Sequence, residues 1–421
     1  MLHTSKGVLI DRVRRSWNKQ TAVCRSVSTI TLDLKIPGGD MSEPLVKVGQ
    51  RVKKGEMIAS AVGEFGCNIF SGVSGTVLSV SDTVVIESDG KNEVSENAKP
   101  VAKRVTELVP DEILKIIRDA GIVDLHGSGK PLAKRLMARM LTADNLIISC
   151  VEPDAYRCNA ERIIKENPSA LVEGAKILML ALGVKHTTFV IGSDRNDAYW
   201  KLRSAIRRSL RMFSIENVLP THPSDDPAVL LKLLYHVNPA ASARSKAEKY
   251  FVIDADTVEA VYRAFYLGMP LCEKRVSVGG DCIKDAKCVF LPIGAPVSEA
   301  IYACGGLNSV PGTLVFSNIL SGRIINDPDE PIPRTEYAIF ADPPAAISNR
   351  MENCIRCGDC IRVCPLKQNP YLLVQKAKDA LIPDADCVKS CIECGACTYV
   401  CPSNIPIAKM IRLAKSGGEG K

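Results

Sequence analysis

Apolar and polar residues alternate through 44–58, where Gly49 and Gly55 punctuate the run, and again through 69–80. Period-two patterning broken by glycine predicts short strands joined by tight turns, so residues 1–100 are expected to form a small β-barrel. From about residue 106 the period changes. Helix-like stretches at 111–120, 171–182 and 197–212 alternate with apolar strand candidates at 145–149 and 188–191, which predicts an α/β domain over 105–255. Strand-like segments at 275–281 and 289–294 follow, then a helical 297–303 closed by Gly305 and Gly306, an order that predicts a small β-grasp domain over 256–340. Residues 345–415 change character again: short amphipathic stretches at 371–380 and 405–415 predict a helical unit, and the glycine-rich 416–421 is expected to be disordered. The expected fold class is a multidomain α+β chain. Its most apolar run, 175–184, falls well short of the ~20 residues of a membrane span and contains Lys176, so it predicts a buried helix.

Seventeen cysteines alter this picture. Eight of them fall in two runs, Cys354-Ile-Arg-Cys357-Gly-Asp-Cys360-Ile-Arg-Val-Cys364-Pro365 and Cys391-Ile-Glu-Cys394-Gly-Ala-Cys397-Thr-Tyr-Val-Cys401-Pro402. Both have the C-x2-C-x2-C-x3-C-P spacing of bacterial two-cluster ferredoxins. Three thiolates on a tight loop can each reach a different iron of one cubane, and the fourth, one helical turn on, points toward the neighbouring cluster. Gly358 and Gly395 let the loop backbone approach the inorganic sulfides, and Pro365 and Pro402 end each segment. The expectation is one [4Fe–4S] cluster on Cys354, Cys357, Cys360 and Cys401, and a second on Cys391, Cys394, Cys397 and Cys364. Structural zinc also uses four cysteines, but it does not call for two complete copies with matching prolines. Cys387 breaks neither pattern and reads as a bystander. The other cysteines, Cys24, Cys67, Cys150 and Cys288 among them, read as ordinary buried thiols.

Charge adds less. Lys and Arg number 54 against 47 Asp and Glu, a formal +7, a mild excess that suits an acidic redox partner or an anionic membrane surface and gives no reason to expect nucleic acid. The first residues lack the apolar core of a secretory signal. With the cysteine load, this predicts a reducing cytoplasm, with any membrane contact peripheral, on the cytoplasmic face, and made through partners.

The alternating N-terminal segment resembles the flattened barrel of biotinyl and lipoyl carrier domains, although the expected hairpin-tip lysine is missing from 63–68. The whole order resembles the C subunit of the Rnf-type ion-translocating ferredoxin:NAD oxidoreductases: carrier-like barrel, α/β flavin-type domain, β-grasp domain of the SLBB-like kind, helical two-cluster domain. Val46-Lys-Val-Gly49, Ser74-Gly-Thr-Val77, Pro292-Ile-Gly294 and Ala303-Cys-Gly-Gly306 carry the likeness together with the cluster motifs. The resemblance implies electron transfer between bound FMN, NADH and clusters, with Rnf-type membrane subunits, a ferredoxin or a soluble reductase as partners.

At the implied flavin site the sequence departs from the family. A glycine-rich G-x-G-G-A-x-F-P-T loop is replaced by Asp124-Leu-His-Gly-Ser-Gly-Lys-Pro-Leu132, in which only Gly127 and Pro131 keep their places. Asp124 and His126 add bulk, and Asp124 adds an anion where a phosphate would sit, whereas Lys130 can still pair with one. The family's E-C-E-P stretch becomes Cys150-Val-Glu152-Pro153, a G-G-E-K segment becomes 222–227, and a G-G-P-M segment becomes Ser317-Asn-Ile-Leu320. Gly127, Lys130, Pro131 and Glu152 are what is left of an FMN site, weakened or lost. The expected function is an electron-transfer subunit that relays electrons through its clusters. Two alternatives stay open: a complete NADH-oxidising FMN subunit, and an electron donor or adaptor to a soluble reductase such as proline reductase.

Overall fold

A computed structural model of the chain describes residues 2–3, 6–10, 18–24, 26–36, 39–126, 128–237, 244–344, 350–378 and 390–416. Gly127, Cys387, the end of the helix expected at 371–380 and the tail past 416 lie outside them.

A five-stranded sheet, parallel throughout, forms the centre in the order Leu2–His3, Phe213–Val218, Thr187–Gly192, Asn145–Cys150, Tyr250–Asp254. Asn145–Cys150 and Thr187–Gly192 are almost wholly buried, as strands covered on both faces must be. The expected apolar helix is Pro168–Leu182, and its ends follow from sequence. The Asn167 side chain accepts from the Ala170 amide, Pro168 occupies the first turn, and Gly183 leaves the helix at φ +72°. Gly174 within it must be glycine, because a Cβ there would stand 2.6 Å from the carbonyl oxygen of Val258 on the helix Ala255–Tyr266. That second helix starts where Asp254 accepts from the Thr257 amide.

A second sheet, Thr313–Phe316, Ala338–Asp342, Glu273–Gly279, Lys287–Pro292, Ala22–Val23, is mixed, with the helix Val297–Ala303 as predicted beside it. The N-terminal unit is a sandwich of a four-stranded sheet (Thr29–Asp33, Thr83–Ser88, Gly75–Val80, Arg51–Val52) and a three-stranded one (Glu43–Pro44, Met57–Ser60, Ile69–Phe70). The C-terminal unit is made of short helices, Asp359–Val363, Pro370–Lys378, Ala396–Tyr399 and Ile407–Ser416.

One expectation needs correcting. The helix placed over 197–212 spans Asn196–Ile206, followed by one 3-10 turn, Arg207–Ser209, and the strand Phe213–Val218. Helix propensity persists through the basic run, but a strand in the sheet wins the segment, as tertiary pairing routinely overrides weak local preference. Two short strands within the span expected for the barrel pair outside its sandwich. Leu2–His3 belongs to the parallel sheet and Ala22–Val23 to the mixed one. Strands of two residues carry no periodicity from which to read them.

Candidate functional site

The cysteines of the two runs gather into two sets. Cys354, Cys357, Cys360 and Cys401 line a cavity of about 420 Å³ walled by apolar side chains including Ile355, Val374 and Ile407. Cys364, Cys391, Cys394 and Cys397 line a narrower cleft. The fourth cysteine of each run thus lies with the first three of the other. The loops share one backbone: the third residue of each run, Arg356 (φ +58°) or Glu393 (φ +55°), and the fifth, Gly358 or Gly395 (both +80°), are left-handed. Such turns point amides inward toward a negative guest. Arg356 N donates to Cys354 Sγ at 3.4 Å, Glu393 N to Cys391 Sγ at 3.4 Å, and Gln368 N to Cys364 Sγ at 3.3 Å. Burial, then the neighbouring sulfurs, push the Cys394 and Cys397 thiols up to about 12, so a metal must displace their protons. Soft thiolates in fours, with amides turned toward the sulfurs, fit a [4Fe–4S] group.

The sets differ in setting. Cys354 and Cys357 are exposed. The second set backs onto the parallel sheet: Leu366 and Ile392 pack with Ile147, Val190 and Val218, and Lys232 donates to the Pro365 carbonyl.

In sheets of this kind ligands bind beyond the carboxyl ends of the strands. Here that place holds a cavity of about 290 Å³ whose wall includes Asp124, His126, Asp225, Asp254, Tyr337 and Cys394. The chain's own side chains occupy its edge in a paired network. Arg157, 2 % exposed, donates from Nη1 to Asp225 Oδ2 at 2.7 Å and from Nη2 to His126 Nδ1 at 2.7 Å. Its guanidinium lies 4.1 Å from the centre of the Tyr337 ring. A donor at Nδ1 fixes the tautomer: the His126 proton is on Nε2, which donates to Asp256 Oδ2 at 2.7 Å. Burial alone would raise the Asp256 carboxyl, but this bond and the charges of Arg157 and Lys274 hold it below the usual carboxylate range. His126, Asp254 and Asp256 lie close enough to enclose a cation. While Arg157 holds Nδ1, however, Nε2 has no lone pair to offer a metal.

The ends of the loop that would cradle a flavin phosphate are tied down. The Asp124 amide donates to the Lys130 carbonyl at 3.0 Å, and the Leu125 amide to the Thr257 hydroxyl at 3.1 Å. Asp124 accepts from Ser128 and pairs with Arg135 at 3.1 Å, while burial, the dominant influence, raises its carboxyl. Asp226 caps the helix Pro227–Tyr235, and burial pushes its carboxyl up to about 6. Lys130 is exposed. Pro131 faces a different cavity. Glu152 accepts from the Ala160 and Glu161 amides and lies 3.6 Å from Arg195, a buried structural pair. Lys130, Pro131 and Glu152 are all absent from the wall of the 290 Å³ cavity. Asp124 and Leu125 amides already taken up, a carboxylate-lined wall and a volume at the bottom of the ~300–1,000 Å³ range of ligand pockets do not fit a flavin nucleotide.

Sequence reading assigned His126 and His222 no partners, yet both sit in paired networks. It left Arg157, Asp225, Asp256 and Tyr337 unmarked, because charged or aromatic residues scattered over loops carry no spacing signal. The other cysteines read in sequence as ordinary buried thiols, and among them Cys158 and Cys288 are free, buried and packed against each other.

Three families of domain match the chain. Residues 2–96 match the RnfC barrel sandwich hybrid domain, 117–263 the Nuo51 FMN-binding domain, and 351–371 with 389–404 a 4Fe-4S binding domain. The C subunit of the proton-translocating ferredoxin:NAD(+) oxidoreductase complex of Clostridium ljungdahlii is 28% identical over 377 residues, covering 86% of this chain and 81% of that one. The C subunit of the ion-translocating oxidoreductase complex of Rhodobacter capsulatus is 29% identical over 358 residues, covering 82% and 69%. An air-oxidised NAD+-reducing [NiFe]-hydrogenase superposes with a TM-score of 0.50 at 14% identity, over 74% of this chain and 54% of its own, which speaks to fold alone.

Proposed function

We propose that this chain, which belongs to the C-subunit family of ion-translocating oxidoreductases, relays single electrons between protein partners through two [4Fe–4S] clusters without using a flavin. When bound, each cluster supplies a one-electron couple. Cys354, Cys357, Cys360 and Cys401 would hold the outer cluster, and Cys364, Cys391, Cys394 and Cys397 the inner one. The observation that carries the reading is the placement of the two sets in series, one at the surface and one against the central sheet. The mixed sheet with its helix is read as a β-grasp domain. Among the described residues no helix is long and apolar enough to cross a membrane. The partners that fit are the membrane subunits of such a complex, met at its cytoplasmic face, or a ferredoxin or soluble reductase.

The domain match at 117–263 favours a second reading, an NADH-oxidising FMN subunit. One titration separates them. Protein purified without oxygen and incubated with FMN is expected to keep little flavin on gel filtration. Dithionite should then bleach its visible absorbance while NADH leaves it unchanged. Stoichiometric flavin with rapid bleaching by NADH would establish the second reading instead.

A further inference from the structure

Two of the segments that depart from the family's flavin pattern, 222–227 and 317–320, meet in space, and they meet at the inner cluster loop. His222 is 3 % exposed. Its backbone is fixed by reciprocal bonds with Val8, His222 N to Val8 O at 2.8 Å and Val8 N to His222 O at 3.0 Å. Asn318 is held from both sides. Its Oδ1 accepts from the Leu320 and Ser321 amides at 2.7 and 3.1 Å, which makes the other side-chain atom Nδ2. That Nδ2 donates to Asp154 Oδ1 at 2.6 Å and to His222 Nδ1 at 3.2 Å. With Nδ1 an acceptor, the proton of His222 is on Nε2, and Nε2 donates to the carbonyl oxygen of Cys394 at 2.6 Å. The chain of bonds runs Asp154, Asn318, His222, Cys394 without a gap.

The same segment touches the next residue of the loop. A Cβ on Gly395 would stand 2.4 Å from the Leu320 carbonyl oxygen. Gly358 occupies the equivalent place in the other run with the same φ of +80°, yet its nearest neighbour there is the end of the Arg362 side chain at 3.3 Å. The two loops are alike in backbone and differ in what presses on them.

We propose that these substituted segments form a latch: His222, oriented by Asn318, and the Leu320 carbonyl fix the Cys394–Gly395 peptide of the inner loop and raise the reduction potential of the group it holds. The assignment rests on the relay reading. His222 is a positioning residue that acts through the Cys394 peptide. A hydrogen bond drawn from that carbonyl polarises the peptide and favours the more negative, reduced state beside it. The departures are then the exchange of a cofactor cradle for a fixed seat, which a relay needs because electron transfer depends on holding its centres at constant separation.

The test uses the full chain purified without oxygen, with paramagnetic resonance followed through a redox titration and backbone hydrogen exchange over 390–401. Two signals in the parent protein establish the two clusters first and independently, and the absence of bleaching by NADH establishes the relay reading. In His222→Leu the inner midpoint is expected to fall while the outer one stays in place, and exchange in the inner loop is expected to quicken. Asn318→Ala, which frees the imidazole, should give the same change in smaller measure, and His222→Gln, which can still donate, should recover most of the parent potential. Gly395→Ala is expected to disturb the inner signal far more than Gly358→Ala disturbs the outer one. Equal effects in the glycine pair, or unmoved potential and exchange in both His222→Leu and Asn318→Ala, would overturn the latch.

Discussion

Cys364→Ala is expected to halve the iron of the protein, from about eight to about four per chain, and to remove the cluster that Cys391, Cys394 and Cys397 would hold. The change lies in the first run, and its effect is expected on the second. Cys364 lines the cleft of the other three thiols, and its sulfur accepts from the Gln368 amide, one turn beyond its own loop. The cluster expected on Cys354, Cys357, Cys360 and Cys401 should keep its paramagnetic signal. Iron analysis with spectroscopy on anaerobically purified protein checks both halves. Loss of the outer signal with the inner one intact would show that each run closes on itself.

Arg157→Met is expected to lower stability by about 3–5 kcal/mol, the cost of leaving buried charges without their partner. Asp225 would lose its 2.7 Å bond, His126 the donor that sets its tautomer, and Tyr337 the cation over its ring. Anaerobic urea unfolding followed by far-ultraviolet dichroism measures it. A loss below about 1 kcal/mol, the scale of an exposed pair, would mean that the network is not what holds the crevice closed.

Much of this architecture can be read before any coordinates. The alternation through 44–58 and the apolar helix at 171–182 are driven by burial, and burial writes itself into periodicity. The cluster cysteines are clearer still, since four ligands on one tight loop admit very few spacings. What stayed hidden has a common cause. Leu2–His3 and Ala22–Val23 are strands only because distant segments offer them an edge. Arg157 and Asp225 lie far apart in sequence, as do His222 and Cys394, and no local pattern announces such pairs. The family's flavin pattern showed that 124–132, 222–227 and 317–320 had changed, but not what they had become. That answer needed Asn318, His222 and Cys394 placed side by side.

The central claim is that two iron–sulfur clusters are the working redox groups of this chain. Iron, acid-labile sulfide and zinc determined together on protein prepared without oxygen test it most directly. The account predicts about eight irons and about eight sulfides per chain, with zinc at trace level. Two zincs per chain with no labile sulfide would contradict it.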